Sequence, residues 1–303
     1  MKIGASLTSA HQTPDPREAA RWMIERAAAA RAADLDSLFV GDHHATPGAY
    51  YQNVPMIARL LAEWGDRPAG CLFLLPLWNP VIVAEQVATL ASLHNGPFIM
   101  QCALGSGRPQ FHALGVNINH RPSLFEEGLA IIRRLWAGAT VSGTERYNIH
   151  GASMGLLPPE PVAVWIGGSV EASVDRAARL GDGWLAGPEL TPALAAHWAA
   201  FYRQRCLAHG REPGVVAIRR DIYVGETDAE AEDVAGRIVA AGYRGFDPSA
   251  CVYGSVDTVV RHLSEYARIG YSDVIIRHLT DDQPHVLASY RRLREVRAAL
   301  AGA

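Results

Sequence analysis

Short apolar runs alternate with longer helical patterns from one end of this chain to the other, and that alternation limits the fold more than any other feature. The runs are Ile3 to Leu7, Ser37 to Val40, Gly70 to Leu75, Phe98 to Leu104, Val162 to Ile166, Gly183 to Ala186, Val216 to Val224 and Asp273 to Ile276. Most are continuously apolar, as parallel strands covered on both faces should be. Helix signals fill the gaps. Asp15-Pro16-Arg17-Glu18 offers an N-cap, a proline at the first helical position and an acidic residue behind it, so Arg17 to Ala33 is expected to be helical. Further helices are expected from Asn79-Pro80 to Asn95-Gly96, over Pro122 to Trp136 and over Val170 to Leu180. Three more run from Thr191-Pro192 to near Gly210, from the capping box Thr227-Asp228-Ala229-Glu230 to Gly242, and from Ser255 to Gly270.

Eight strand-then-helix units predict parallel strands joined by right-handed crossovers, and favour a closed (β/α)8 TIM barrel over an open sheet. No linker, charge block or low-complexity stretch interrupts the series, so residues 1–303 are expected to form one domain. The gap between the fourth and fifth strands holds an insertion. Its last part, Thr140 to Tyr147, reads as a small hairpin around Gly143 and is expected to cover the face where barrel enzymes work.

Charge and composition exclude several classes of partner. With 28 Lys and Arg against 31 Asp and Glu, no basic excess exists to neutralise a nucleic acid. The longest apolar runs, such as Cys71 to Leu77, fall far short of the roughly 20 residues that span a bilayer. Polar His11 and Gln12 arrive too early for a secretory core. The four cysteines (Cys71, Cys102, Cys206, Cys251) have no metal-like spacing, and three lie in apolar segments as buried thiols, which suits a reducing cytoplasm.

In a barrel the informative residues sit just after each strand. Gly41-Asp42-His43-His44 follows the second, Pro76, Trp78 and Asn79 the third, Gly105-Ser106-Gly107-Arg108 the fourth and Gly167-Gly168-Ser169 the fifth. His43 and His44 lack a third histidine or a carboxylate at ligand spacing, so no metal site is expected; a hydrogen-bonding or proton-carrying role competes with a structural one. Gly105-Ser106-Gly107 lets a flat ring or a phosphate approach the main chain, but Gln110 stands where a dinucleotide fingerprint needs its third glycine. Gly167-Gly168-Ser169 precedes a helix, so it either offers free N–H groups to a phosphate or simply caps that helix through Ser169.

Gly151-Ala152-Ser153-Met154-Gly155 spells G-x-S-x-G but does not sit between a strand run and a helix, so no nucleophile elbow is expected. The fourth strand ends in glycines where a glycosidase barrel would place a carboxylate, and Glu85, Glu126 and Glu127 lie on helices. The mouth is expected to be apolar and aromatic, with Phe73, Leu75, Trp78, Tyr50, Tyr51 and Trp184 as candidates. Such a mouth suits a flat cofactor and an uncharged substrate.

Several segments, taken in order, resemble a known family. They are Leu74-Leu75-Pro76-Leu77-Trp78-Asn79-Pro80 with Ala84-Glu85-Gln86-Val87-Ala88-Thr89-Leu90, then Phe111-His112-Ala113-Leu114-Gly115, Ile166-Gly167-Gly168-Ser169, and Ala177-Ala178-Arg179-Leu180-Gly181-Asp182-Gly183-Trp184. With the acidic-His-His step Asp42-His43-His44, the chain resembles the bacterial luciferase-like flavin-dependent monooxygenases and oxidoreductases. The resemblance implies a TIM barrel that binds reduced FMN or, in a sister branch, the deazaflavin coenzyme F420. It places the ring beside Ser6, Cys71, Leu72, Phe73, Gly105, Ser106 and Gly107, and the phosphate near Gly167, Gly168 and Ser169. A non-prolyl cis peptide within Cys71 to Phe73 is implied as well. His44 matches the histidine beside the flavin, with His43 as its neighbour in the catalytic role. Leu104 stands where the luciferases proper carry an arginine, leaving Arg108 as the nearest replacement.

The function implied first is that of a two-component monooxygenase acting with O2 on an uncharged organic substrate and served by a separate flavin reductase. Deazaflavin-dependent hydride transfer is the alternative, and a non-catalytic flavin-binding protein a further one. A cytoplasmic homodimer is the expected form.

Overall fold

The computed structural model describes residues 1–143 and 145–301. The chain begins β1 (Lys2–Leu7), α1 (Pro16–Ala32), β2 (Ser37–Val40), α2 (Asn53–Trp64), β3 (Ala69–Leu74), α3 (Pro80–Leu93) and β4 (Phe98–Ala103). Helices α4 (Arg108–Ala113) and α5 (Arg121–Trp136) lead into β5 (Ala163–Gly167). Next come α6 (Glu171–Leu180), β6 (Gly183–Ala186), α7 (Pro192–Ala208) and β7 (Val215–Val224). The expected helix after β7 is broken into α8 (Asp228–Ala231), a π turn at Glu232–Gly236 and α9 (Arg237–Ala240). The chain closes with β8 (Cys251–Gly254), α10 (Val256–Ile269), β9 (Asp273–His278) and α11 (Gln283–Ala301).

Local chemistry sets the helix ends. The Asp15, Asn79 and Thr191 side chains accept from the backbone N–H groups of Arg17, Val81 and Leu194, each with a proline in the first turn of the helix it caps. Gly270, at φ 97°, takes the left-handed turn that stops α10. Strand β3 ends one residue earlier than expected, because Leu75–Leu77 tightens into a 3-10 turn around Pro76.

The sheet is parallel throughout and closed. β1 pairs with both β2 and β9, and the circuit runs on through β3, β4, β5, β6 and β7 back to β9. This is the expected eight-stranded TIM barrel.

The additional strand, β8, is a correction to the sequence reading, which places no strand at Cys251–Gly254. β7 explains it. β9 occupies one edge over Ala217–Ile222; on the other edge β6 pairs up to Ile218 and β8 takes over at Asp221–Val224. β8 therefore extends the barrel wall beside the end of β7 rather than joining the circuit.

The expected hairpin is wider than its sequence signal. Val141 bridges to Ala152, and Thr144 lies outside the described residues. The Glu127 carboxylate on α5 accepts from the backbone of Arg146 and Tyr147, so the hairpin packs on α5 rather than over the barrel mouth. All four cysteines are free and buried. Among the described residues, no helix is long and apolar enough to cross a membrane.

Two apolar layers result. The larger lies between strands and helices and includes Ile3, Cys71, Phe73, Val164, Trp184 and Ile276. The smaller fills the inside of the barrel with Phe39, Ile99, Trp165, Ala217 and Ile275. β3 and β4 approach closely at Gly70, where an added Cβ would stand 1.9 Å from the Ile99 carbonyl oxygen. A backbone atom cannot swing aside as a side chain does. Gly70→Ala is expected to cost about 2–4 kcal/mol of stability, read from urea unfolding, and an unchanged midpoint would refute this tight approach.

Candidate active site

The C-terminal ends of all barrel strands open on one rim, and two adjoining cavities of about 500 and 600 Å³ lie there. Both are walled by Gly41, Leu72, Leu74, Ser106, Arg219 and Arg277. The period of two along a strand explains the lining. Two residues beyond the interior layer of Phe39, Ile99, Trp165, Ala217 and Ile275, the same strands present Gly41, Gln101, Gly167, Arg219 and Arg277. Glycines leave the space on β2 and β5, while long polar side chains fill the floor on β4, β7 and β9.

The first cavity gathers Ser6, Leu72, Gly105, Ser106, Gly167, Gly168 and Ser169, as the sequence reading expected of a common site. Its apolar walls are Leu72, Leu74, Ala103, Leu104 and Leu185. Gln101 Nε2 is buried in it with no hydrogen-bond partner among the described residues. Gly107 lies on the second cavity instead and serves as the N-cap of α4. Ser169 does not cap α6. Val170 holds that position, Ser173 Oγ accepts from its N–H at 3.1 Å, and Ser169 Oγ accepts instead from Gly187 N–H at 3.1 Å. A Cβ on Gly168 would meet Ser173 Oγ at 2.2 Å, so glycine is what lets the chain turn into α6 here.

Cys71 and Phe73 are the exceptions. They alternate with Leu72 and Leu74, face the helices, and are wholly buried in the outer layer. Every described peptide bond is trans, which corrects the cis bond expected within Cys71 to Phe73. The aromatic mouth also needs correction. Phe73, Leu75 and Trp184 belong to the outer core; Trp184 stacks on Tyr202 at 5.5 Å and donates to the Gly168 carbonyl at 2.8 Å. Tyr51 donates to the Pro16 carbonyl, whereas Tyr50 does line the second cavity. Arg108 borders shallower outer grooves, and Arg121 reaches the first cavity, donating to the Gly105 carbonyl at 3.3 Å.

The paired histidines diverge. His43 borders the second cavity, with its ring 5.7 Å from that of Tyr50. His44 turns toward Trp78 and brings Nε2 within 3.0 Å of Asp42 Oδ1. Asp42 is buried, and its Oδ2 accepts from Leu74 N–H and from Trp78 Nε1–H, each at 2.8 Å. One carboxylate thus ties the end of β2 to the end of β3 and to the turn behind it, while its other oxygen faces His44 without a hydrogen bond among the described residues. No group of three His, Cys, Asp or Glu suited to a metal ion occurs among the described residues.

A charged cluster escaped the sequence reading. Arg219 donates to Asp221 through Nε and one terminal nitrogen, both at 2.8 Å, a two-point pairing. Tyr243 donates to the same carboxylate at 2.7 Å, and Arg244 stands 3.7 Å from it. Burial would raise the Asp221 carboxyl, but Arg219, Arg277 and the Tyr243 hydroxyl together hold it below the usual carboxylate range. Arg277 is brought down to about 10 by burial and by its like-charged neighbour Arg219. The signal was present: Arg219-Arg220-Asp221 interrupts an otherwise apolar strand, and Arg277 extends the last one. Charges at inward-facing positions of a strand mark a lined cavity rather than a packed core.

A closed parallel barrel with a glycine-bordered cavity at its C-terminal mouth is the architecture of a barrel enzyme. The family of luciferase-like monooxygenases matches residues 1–268, and the chain belongs to that family. It is therefore an oxidoreductase of the luciferase-like type. Among curated relatives, F420-dependent glucose-6-phosphate dehydrogenase of Mycobacterium avium (strain 104) is 27% identical over 192 residues, 60% of this chain and 57% of that protein. The chain thus spans little more than half the length of that relative. Among solved structures, monooxygenase RslO1 from Streptomyces bottropensis superposes with a TM-score of 0.86 at 18% identity, covering 100% of both chains. The oxygenating constituent of 3,6-diketocamphane monooxygenase from the CAM plasmid of Pseudomonas putida, in complex with FMN, gives 0.86 at 15% identity, over 99% of this chain and 98% of that one. Likeness at that identity speaks to the fold.

Two outcomes follow from these contacts. Asp42→Ala removes the acceptor shared by Leu74 N–H and Trp78 Nε1–H, so it should cost about 1–3 kcal/mol of stability in urea unfolding. An unchanged midpoint would show that this carboxylate does not tie the ends of β2 and β3 together. The second concerns pH. Because the folded-state pKa of Asp221 is depressed, its stabilisation is present above the ordinary carboxylate value of about 3.9 and fades as pH falls through the lower folded value. The stability difference between wild type and Asp221→Asn should therefore shrink below about pH 4; a difference constant across that range would contradict the assignment.

Proposed function

We propose that this chain is the oxygenating component of a two-component flavin monooxygenase, with reduced FMN supplied by a separate reductase and O2 as co-substrate. The observation carrying the reading is the single rim cavity that joins Ser6, Leu72, Gly105-Ser106 and Gly167-Gly168-Ser169, with His43 on the adjoining cavity. The residues present suit a flat heteroaromatic ring. Leucines 72, 74 and 185 offer apolar faces, and the buried Gln101 amide, which has no partner among the described residues, offers a donor to a polar ring edge. The α6 N-terminus, entered through Gly168 and Ser169, would hold the phosphate.

When bound, reduced flavin supplies the electrons that activate O2. The chain's own residues do the rest. The leucine walls keep water from the ring, and His43 serves a proton at the second cavity. Asp42 holds the end of β2 beside it through Leu74 and Trp78, with His44 Nε2 3.0 Å from its free oxygen. A homodimer in the cytoplasm remains the proposed setting.

A second reading, deazaflavin-dependent hydride transfer, draws on the curated relatives, whose names specify F420, and on Leu104 in place of an arginine. The deciding measurement is binding of FMN, reduced FMN and F420 in parallel, followed by admission of O2. The first reading expects reduced FMN to bind best and the yield of free H2O2 from it to fall when protein is present, with His43→Ala restoring that yield. Tight F420 binding with O2-independent turnover would establish the second reading and exclude the first.

A further inference from the structure

The cavity floor holds more positive charge than its carboxylates balance. Arg219 is committed to Asp221 at two points, whereas Arg277, among the described residues, forms no ion pair of its own. Among the described residues no carboxylate comes within salt-bridge distance of Arg277, its Nε is buried without a partner, and its one hydrogen bond runs to the Leu7 carbonyl at 3.4 Å. Of the other acidic groups nearby, Asp42 is held by Leu74 and Trp78 and faces His44, and Glu189 is exposed at the rim. Arg244 adds a third cation to the second cavity. Its backbone is left-handed at φ 52° between Gly242 at 89° and Gly245 at 70°, an arrangement a non-glycine residue adopts at a cost.

The absence of a side chain at Gly41 opens the space in front of Arg277. A Cβ there would stand 2.9 Å from Tyr50 Oη and 3.5 Å from an Arg277 terminal nitrogen. A phenol and a guanidinium thus converge on one point beside the leucine walls. A buried guanidinium that must share the field of its nearest carboxylate, Asp221, with Arg219 and that keeps donors unused is only partly compensated, and such a group at a cavity is the mark of a ligand that completes it.

We infer that Arg277 and Tyr50, across Gly41, form a subsite for the acidic head of the substrate, an organic oxyanion (carboxylate or phosphate) carried on an apolar body. This rests on the cavity's assignment as the reaction site, and it replaces the uncharged substrate expected from the sequence with an anionic one.

The test is a cofactor-free titration, so that its failure differs from failure of the flavin reading. Phenylacetate, phenyl phosphate and the neutral phenylacetamide are titrated by calorimetry into wild type, Arg277→Met and Arg277→Lys, with FMN and F420 binding measured alongside. At least one acid should bind about tenfold or more tighter than the amide, the ratio of the two acids naming the head group. Arg277→Met should erase that preference, Arg277→Lys should retain part of it, and cofactor affinity should change little. If the Met variant fails to fold, because Asp221 loses part of its compensation, the Lys variant and Tyr50→Phe carry the comparison. Equal binding of amide and acids, no binding of any probe, or a loss confined to the cofactor would each overturn the inference.

Discussion

Closure of the parallel sheet is the constraint from which the rest of the molecule follows. β1 hydrogen-bonds to both β2 and β9, so the two ends of the chain meet in one wall. Parallel pairing then sends every strand's C-terminal end to the same rim. Ser6 and Arg277, nearly the whole sequence apart, line one cavity as a consequence. The interior layer of Phe39, Ile99, Trp165, Ala217 and Ile275 forms the cavity's floor support. Side chains two residues further on have nowhere to point except into the space above it.

What fills that space differs around the circuit, and the difference is chemical. On β2 and β5 the inward positions are Gly41 and Gly167; on β4, β7 and β9 they are Gln101, Arg219 and Arg277. One side is therefore open and the other polar. Arg219 and Asp221 satisfy each other, and Tyr243 adds a donor to the same carboxylate. Burying a matched pair is close to neutral for folding, whereas Arg277 beside it, which shares Asp221 without a salt bridge of its own among the described residues, is not. The fold tolerates this partly compensated charge because the surrounding strands are fixed by a continuous hydrogen-bonded ladder and two apolar layers.

The fold was legible in the sequence because its signals are local. Continuous apolar runs mark strands buried on both faces, and Asp15, Asn79, Thr191 and Gly270 mark helix ends by backbone chemistry that needs no tertiary information. The glycine segments of the site were legible for the same reason. Other features were not. Cys71 and Leu72 read alike as apolar strand residues, and only the pleat decides which one faces the cavity. His43 and His44 are indistinguishable until Asp42 claims one of them. Strand β8 is four residues long and exists because β7 is long enough to pair past β6, a property of packing rather than of its own sequence. The arginine cluster assembles from β7, β9 and the segment beyond α9, so no window along the chain contains it.

That segment shows how a barrel of common design acquires a particular site. β7 runs on beyond its pairing with β6, and its last residues hold Asp221 at the rim. The chain then breaks its helix at the π turn and winds back through Gly242, Tyr243, Arg244 and Gly245 before entering β8. A regular helix would carry Tyr243 and Arg244 away along its axis. The left-handed turn instead returns both side chains to Asp221. Removing the π turn or β8 would leave the eight-stranded circuit whole yet strip the rim of two groups that set its charge. The barrel strands thus decide the shape of the cavity, and this irregular excursion helps decide its polarity, which is why the two are encoded by unlike stretches of sequence.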